Sequence, residues 1–336
     1  LDVAGNKATL PEGTIQIDTK TQVSGGLAAG FDSGSSDNDR LTKFDSPKFS
    51  GSGEVGGTVT ITIDGRQYSA QVDSTGQWEI EGIHNLSDGK HPYEISIVDA
   101  AGNKETIKTD LTVDTTPPEF TPAKLEKDTG SKDNDMITKE GQLVFVGRVA
   151  EVGTTIELSI DGKVFRTPND ISIEPDGSWR LELPEVLAEN LNGYNFKITY
   201  TDAAGNPAVQ GGKVIVDTTN SITGGLSVSS DSGDKGDKTT NITKPTISGH
   251  TEANAKITLL IDNNEYSTYA DGDGNWNIQV GHNLSDKTHQ YTVISEDIAG
   301  NRVEFNDEVT IDTAASSLSS IFLDNDSNIK GDWISK

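Results

Sequence analysis

Carboxylates are the side chains whose spacing repeats in this sequence, and cation binding is the chemistry that such repetition suggests. Two acidic stretches, DSGSSDND (32–39) and DTGSKDND (128–135), set aspartates at equal intervals: Asp32, Asp37 and Asp39 in one, Asp128, Asp133 and Asp135 in the other. Ca2+ takes about six to eight oxygens at roughly 2.3–2.6 Å, and loops supply them by mixing Asp side chains with backbone carbonyls. Gly34 and Gly130 give those loops freedom to wrap. A solvated acidic turn would use the same residue types, but recurrence of one acidic spacing within a chain favours the cation. A third stretch, DSGDKGDKTT (231–240), reads as two residues longer, with Thr240 where Asp39 and Asp135 stand, and is expected to hold no ion.

A second set of carboxylates gathers where repeated segments meet. The pattern D-x-A-G-N recurs at 2–6, 99–103, 202–206 and 297–301, and is followed 15 or 16 residues later by an aspartate that closes a strand: Asp18, Asp114, Asp217 and Asp312. Gly-x-Trp recurs once per repeat, at Trp78, Trp179 and Trp276. Three trios follow from this spacing: Asp18, Glu54 and Asp99; Asp114, Glu151 and Asp202; Asp217, Glu252 and Asp297. Two carboxylates about 5 Å apart repel by about 3 kcal/mol at an effective dielectric of about 20, so three together need a counterion. A bare turn in D-x-A-G-N would ask for Gly and Asn at positive φ and leave the Asp without a reason.

What must position these groups is a β-fold. Val59, Ile61 and Ile63 alternate with polar residues, as do Ile156, Leu158 and Ile160, and Ile257, Leu259 and Ile261, each run turning at Asp-Gly or Asp-Asn. About seven half-buried segments per repeat of roughly 100 residues fit an immunoglobulin-like β-sandwich, so the expected fold is all-β, with such sandwiches in a linear tandem array. The expected domains are 19–114, 115–217 and 218–312, after the last hairpin of an earlier repeat (1–18) and before the start of another (313–336). With the strands lettered A to G, the acidic stretches fall in AB loops at the C-terminal end of each sandwich. Glu54, Glu151 and Glu252 fall in BC loops at the N-terminal end, beside the FG-loop D-x-A-G-N. Tyr93 and Tyr291 sit where strand F should start, which predicts a corner-type tyrosine, with Tyr194 in that role in the middle domain.

Composition narrows the function. Asp and Glu number 53 against 27 Lys and Arg, a net charge of −26 that repels nucleic acid and anionic membrane surfaces and attracts small cations. There is no cysteine, hence no disulfide or thiolate chemistry, and no apolar run long enough to insert in a membrane. Leu1 begins no signal peptide, so the chain reads as an excerpt. No nucleophile elbow, HExxH, phosphate loop or dinucleotide fingerprint occurs, and no enzymatic activity is expected. DGDGN (271–275) mimics the opening of an EF-hand loop but lacks its closing Glu, and reads as a hairpin turn. Of the five histidines, His84 with His91 and His282 with His289 fall in H-N-L-S-D-x-x-H. The middle repeat has none, and no zinc site is expected.

D-x-A-G-N, V-D-T-T-P-P (113–118), DTGSKDND and Gly-x-Trp in tandem resemble the bacterial Ig-like repeats of giant type I-secreted, non-fimbrial adhesins. The resemblance covers the whole chain. It implies a secreted, cell-surface filament of β-sandwiches stiffened by Ca2+ at and near the junctions, with the trios and the AB-loop aspartates as ligands. Its implied partners are the neighbouring repeats and, through other repeats, a host-cell receptor or glycan. The alternative readings are that these repeats grip the receptor or glycan themselves, or make Ca2+-dependent homophilic contacts.

Overall fold

The computed structural model describes residues 3–4, 6–7 and 13–315, and no helix occurs among them. Residues 316–336, expected to begin a further repeat, and most of the hairpin expected before residue 13 lie outside the described residues.

The first sandwich contains β1 (Val23–Leu27), β2 (Leu41–Thr42), β3 (Phe49–Gly53), β4 (Thr58–Ile63), β5 (Arg66–Gln71), β6 (Gln77–Ile80), β7 (Gly89–Val98) and β8 (Lys104–Val113). They form one sheet of order β1-β3-β6 and another of order β2-β8-β7-β4-β5. The alternation in β4 buries Val59, Ile61 and Ile63 on one face, and they meet Phe49, Trp78, Ile80, Ile95 and Ile97 in a core drawn from both sheets. Asp64 and Gly65, at φ 45° and 76°, make the two-residue turn from β4 to β5, the left-handed pair that matches strand twist. The Trp78 ring lies against strand backbone: a Cβ on Gly25 would stand 2.3 Å from it. That contact explains a glycine inside a strand, where it otherwise weakens packing.

The middle sandwich contains β9 (Phe120–Leu125), β10 (Ile137–Thr138), β11 (Val144–Val149), β12 (Thr155–Ile160), β13 (Lys163–Arg166), β14 (Ser172–Ile173), β15 (Ser178–Glu182), β16 (Asn190–Thr201) and β17 (Pro207–Val216). Its sheets run β14-β15-β11-β9 and β10-β17-β16-β12-β13. The third contains β18 (Ile222–Leu226), β19 (Thr239–Thr240), β20 (Thr246–Thr251), β21 (Lys256–Ile261), β22 (Asn264–Tyr269), β23 (Asn275–Gln279), β24 (Thr288–Glu296) and β25 (Arg302–Ile311), in sheets β18-β20-β23 and β19-β25-β24-β21-β22.

By density of contacts the chain divides into two units. One comprises Leu1–Lys124, Val144–Glu182 and Asn195–Lys213; the other comprises Leu125–Leu143, Leu183–Tyr194 and Val214–Lys336. The trios of Asp99 and Asp202 lie wholly in the first unit and that of Asp297 wholly in the second.

Two sequence expectations need correction. DGDGN (271–275) does form a tight turn, with Gly274 N–H donating to the Asp271 carbonyl. It is not a hairpin, because β22 and β23 belong to different sheets. The corner tyrosine is also misplaced. Ile63, Ile160 and Ile261 face Tyr93, Phe196 and Tyr291, so Phe196, not Tyr194, matches the two tyrosines. Tyr194 lies two residues earlier, where the other domains have His91 and His289. The corner bond belongs to this earlier position: Tyr194 Oη donates to the Ala188 carbonyl at 2.9 Å, while His91 Nε2 and His289 Nε2 reach those of Ser87 and Ser285 at 2.7 and 2.9 Å.

Candidate metal centres

Each junction is assembled by strand ends. The two-residue strand β2 runs parallel to β8, and Asp114 N–H donates to the Thr42 carbonyl where the chain leaves the sandwich. Asp217 and Asp312 repeat this bond with Thr138 and Thr240. The linker beyond each Asp is tied back to its own domain by an acidic residue that the sequence reading overlooked. Asp88 accepts from Thr115 and Thr116, Glu189 from Thr218, and Asp286 from Thr313. The signal was present: an acid stands 26, 28 and 26 residues before Asp114, Asp217 and Asp312.

Linker Asp, BC-loop Glu and FG-loop Asp then converge. In the trios Asp18–Glu54–Asp99, Asp114–Glu151–Asp202 and Asp217–Glu252–Asp297, one carboxylate oxygen from each residue lies within 4.8 Å of the others. Asp99, Asp202, Asp217 and Asp297 are buried. The FG-loop aspartate has a second task. Asp202 accepts from the backbone N–H of Asn206 at 2.8 Å and from its side-chain amide at 2.9 Å, and that amide also donates to the Asp114 carbonyl at 2.8 Å. Asn301 joins Asp297 to the Asp217 carbonyl in the same way. The Asn does not adopt the positive φ that a bare turn would ask of it: the glycine alone does so, and the Asn serves as a strut from FG loop to linker.

Electrostatics differ along the chain. At the first junction burial pushes the Asp99 carboxyl up, but hydrogen bonds from Asn103, Gly102 and Ala101 together outweigh it and leave the group below its ordinary range. At the second, burial and then the charges of Asp114 and Asp202 raise Glu151. At the third, burial followed by Asp217, Asp297 and Glu189 raises Glu252 to about 7, and burial raises Asp217 itself. Glu189 is thus a fourth carboxylate at this junction. A carboxylate raised in the folded state costs stability progressively as pH climbs from its ordinary 4.5 to about 7, where the charge is forced on. Calcium must displace that proton. Calcium affinity at the Glu252 cluster should therefore strengthen between pH 6 and 8 while that of the Asp99 cluster stays level, which calorimetric titration at the two pH values would reveal.

The AB loops bring fewer groups together. Asp32 Oδ2 accepts from Arg40 N–H and Asp128 Oδ2 from Met136 N–H, while Oδ1 of each is buried without a partner. Burial raises both carboxyls, with Asp39 adding to the effect at Asp32 and Asp135 and Asp133 at Asp128. Asp37 and Asp133 are exposed. The third loop contradicts the sequence reading. Arg40, Met136 and Lys238 share one left-handed position at φ 63°, 62° and 64°, eight, eight and seven residues after Asp32, Asp128 and Asp231. The loop is therefore one residue shorter, not two longer. Asp237, accepting from Thr239 N–H, stands where Asp39 and Asp135 do, and Thr240 matches Thr42 and Thr138. What the loop loses is the middle aspartate: Lys235 stands where Asp37 and Asp133 do, and its Nζ donates to the Asp231 carbonyl.

The AB loop of one domain also grips the FG loop of the next without any ion. Ser33 Oγ donates to the Ala204 carbonyl at 2.6 Å and Lys43 Nζ to that of Gly205 at 3.1 Å. Thr129 and Lys139 do the same to Ala299 and Gly300, at 2.5 and 2.8 Å.

No protein of curated function matches the sequence. Among solved structures, the chain is similar to a Ca2+-stabilised adhesin with which an Antarctic bacterium reaches out and binds ice, at 22% identity over 89% of this chain and 75% of that one, TM-score 0.35. It is also similar to a tetra-tandem repeat in the extending region of a large adhesion protein (18% identity, 82% and 73% of the two chains, TM-score 0.33) and to domains A168–A170 of titin (10%, 87% and 99%, TM-score 0.35). The model of the bacterial Ig-like domain matches residues 20–115, 116–218 and 219–313. Those matches run end to end over most of the sequence, one on each sandwich, so the chain belongs to the family of bacterial Ig-like domains.

Proposed function

We propose that these domains are a calcium-stiffened stalk segment of a large adhesin on the bacterial surface, which spaces and orients the parts that attach to a host cell. The observation that carries this reading is the thrice-repeated trio whose oxygens lie within 4.8 Å, each built from a linker, a BC loop and an FG loop. Such a group repels itself when bare and supplies hard oxygen donors when filled, which suits Ca2+. Asp18, Glu54 and Asp99, Asp114, Glu151 and Asp202, and Asp217, Glu252 and Asp297 would each hold one ion. Asp32 and Asp39, and Asp128 with Asp135 and Asp133, would form lesser sites around their unpartnered oxygens. Affinities of about 0.1–1 mM would keep such sites filled outside the cell and empty inside it. The role is to bind cations and set spacing, with no chemical step.

Counting ions tests the assignment. Glu151→Gln keeps an oxygen acceptor but removes one charge, and should cost the chain one calcium ion in equilibrium dialysis near 1 mM calcium. An unchanged ion count would show that the Asp114 trio is not a site.

A further inference from the structure

Three equivalent positions beneath the linker carry different chemistry in the three domains. By strand register Ile97, Tyr200 and Ser295 occupy one place, each facing the first residue of an alternating run: Val59, Ile156 or Ile257. Gly53, Val149 and Thr251 share a second place, two residues beyond the glycine that pairs with Trp78, Trp179 or Trp276. Thr21, Pro117 and Asn220 share a third, three residues past the linker aspartate. In the third domain all three are polar, although Ser295 is fully buried and Thr251 is 2% exposed. Burying a hydroxyl costs stability unless it is hydrogen-bonded, so this joint replacement of apolar groups needs a physical reason.

The bonds supply it. Thr251 Oγ1 lies 2.7 Å from the Ser221 carbonyl, which can only accept, so the Thr251 proton points there. Across the 2.8 Å between the two hydroxyls Ser295 must then donate to Thr251. That leaves the Ser295 oxygen to accept from the Asn220 amide at 3.3 Å. The same amide donates to the Asn301 carbonyl at 3.0 Å, and the Asn301 amide reaches back from the FG loop to the carbonyls of Asp217 at 2.8 Å and Thr219 at 3.4 Å. Two carboxamides thus clasp linker and FG loop reciprocally, above a pair of buried hydroxyls that each have a partner. A buried polar network satisfied in this way rigidifies one arrangement. All of its members lie within one compact unit.

The first domain is built the opposite way. Thr21 Oγ1 is buried without a partner, Gly53 brings no side chain to meet it, and both line a recess of about 450 Å3. The middle domain is apolar here: Pro117 has no donor, and the Phe120 ring stacks on Tyr200 with centroids 4.3 Å apart. We propose that Asn220, with Thr251 and Ser295, is a built-in lock that seats the linker of Asp217 on the third domain without a cation, whereas the linker of Asp18 is seated only when calcium fills its trio. Because Asn301 also holds Asp297, the lock keeps two carboxylates of the third trio in place before an ion arrives. The calcium half of this contrast rests on the trios being calcium sites; the lock does not.

Amide hydrogen exchange of the whole chain, in chelator and in about 2 mM calcium, tests this. Residues 218–221 and the Asn220 side-chain amide should exchange slowly in both, while residues 20–22 should slow by about tenfold or more when calcium is added. Asn220→Thr gives this linker the residue of the first one. In chelator it should quicken exchange at 218–221 by about tenfold, and calcium should reverse most of the gain, making the linker calcium-dependent. Ser295→Ala removes one bond of the network and should act in the same direction by about threefold. Unchanged exchange in β21 and β24 would show that both variants keep the fold. The lock is overturned if chelated Asn220→Thr exchanges at 218–221 as the unaltered chain does, or if the unaltered chelated chain exchanges there as fast as at 20–22. If calcium leaves 20–22 unaffected, the calcium half of the contrast falls together with the trio of Asp18, and the chelated variants still decide the lock.

Discussion

Calcium at about 2 mM should stabilise the chelated chain by about 5 kcal/mol in total. A site with a dissociation constant of about 0.1 mM contributes RT ln(1 + [Ca2+]/Kd), close to 1.8 kcal/mol, and three trios are present. Each trio exists only while its domain is folded, so the whole effect appears in unfolding. In a domain of this size the roughly 1.8 kcal/mol from its own trio should raise the midpoint by about 7–14 °C, read by scanning calorimetry in calcium and in chelator. Magnesium should do far less, because it demands a tight octahedron and keeps its water. Glu151→Gln with Glu252→Gln should lower the calcium increment and leave the chelated chain at least as stable, since both carboxyls are held above their ordinary range by burial and by neighbouring charge. Coincident melting curves in calcium and chelator would refute the stalk reading outright.

Gly34→Val should open the second junction, that of Asp114, Glu151 and Asp202, while leaving the sandwiches folded. Gly34 has φ +91°, and a Cβ there would stand 1.9 Å from the carbonyl oxygen of Ala203, inside any permitted contact. Backbone strain costs about 1–3 kcal/mol, and the clash adds enough that the loop must leave its partner. The bonds of Ser33 and Lys43 to Ala204 and Gly205 are then lost together. Hydrogen exchange in the 115–119 linker and the 202–206 loop should quicken, while exchange in β4 and β7 is unchanged. Gly30→Val separates the causes, for Gly30 has φ +83° with nothing within 4 Å of the added atom, and should strain its loop without opening the joint. Equal exchange in Gly34→Val and the unaltered chain would show that this contact does not hold the junction.

How much was legible depended on whether partners sit at fixed intervals. Val59, Ile61 and Ile63 announce a strand because burial alternates along the chain itself. Asp114, Glu151 and Asp202 can be grouped because the repeat fixes their spacing. The strut from Asn206 to the Asp114 carbonyl could not be read, since it needs the loop and the linker to meet at 2.8 Å, and no spacing encodes that. The third AB loop was misaligned because its glycines and lysines allow several gaps. Only the shared left-handed turn at Arg40, Met136 and Lys238 fixes which residue matches which. What holds the histidines, the Ser285 carbonyl at His289 Nε2 and Tyr266 Oη at His282 Nδ1, is likewise not displayed by motif spacing.

The grip of each AB loop on the following D-x-A-G-N has a consequence for how such a chain can change over generations. Every domain carries both halves of one joint: a hydroxyl and a glycine at one end, an Ala-Gly pair of carbonyls at the other. Ala204 and Ala299 are fully buried, whereas Ala101, in the same place on the first domain, is exposed. Ser232 and Gly233 repeat Ser33 and Gly34, although Asn241 replaces the lysine. Because the mating parts are mostly backbone, they ask little of the surrounding sequence. A gene could gain or lose whole repeats by unequal recombination and still produce matched ends, so reach becomes a quantity that selection can lengthen or shorten one domain at a time.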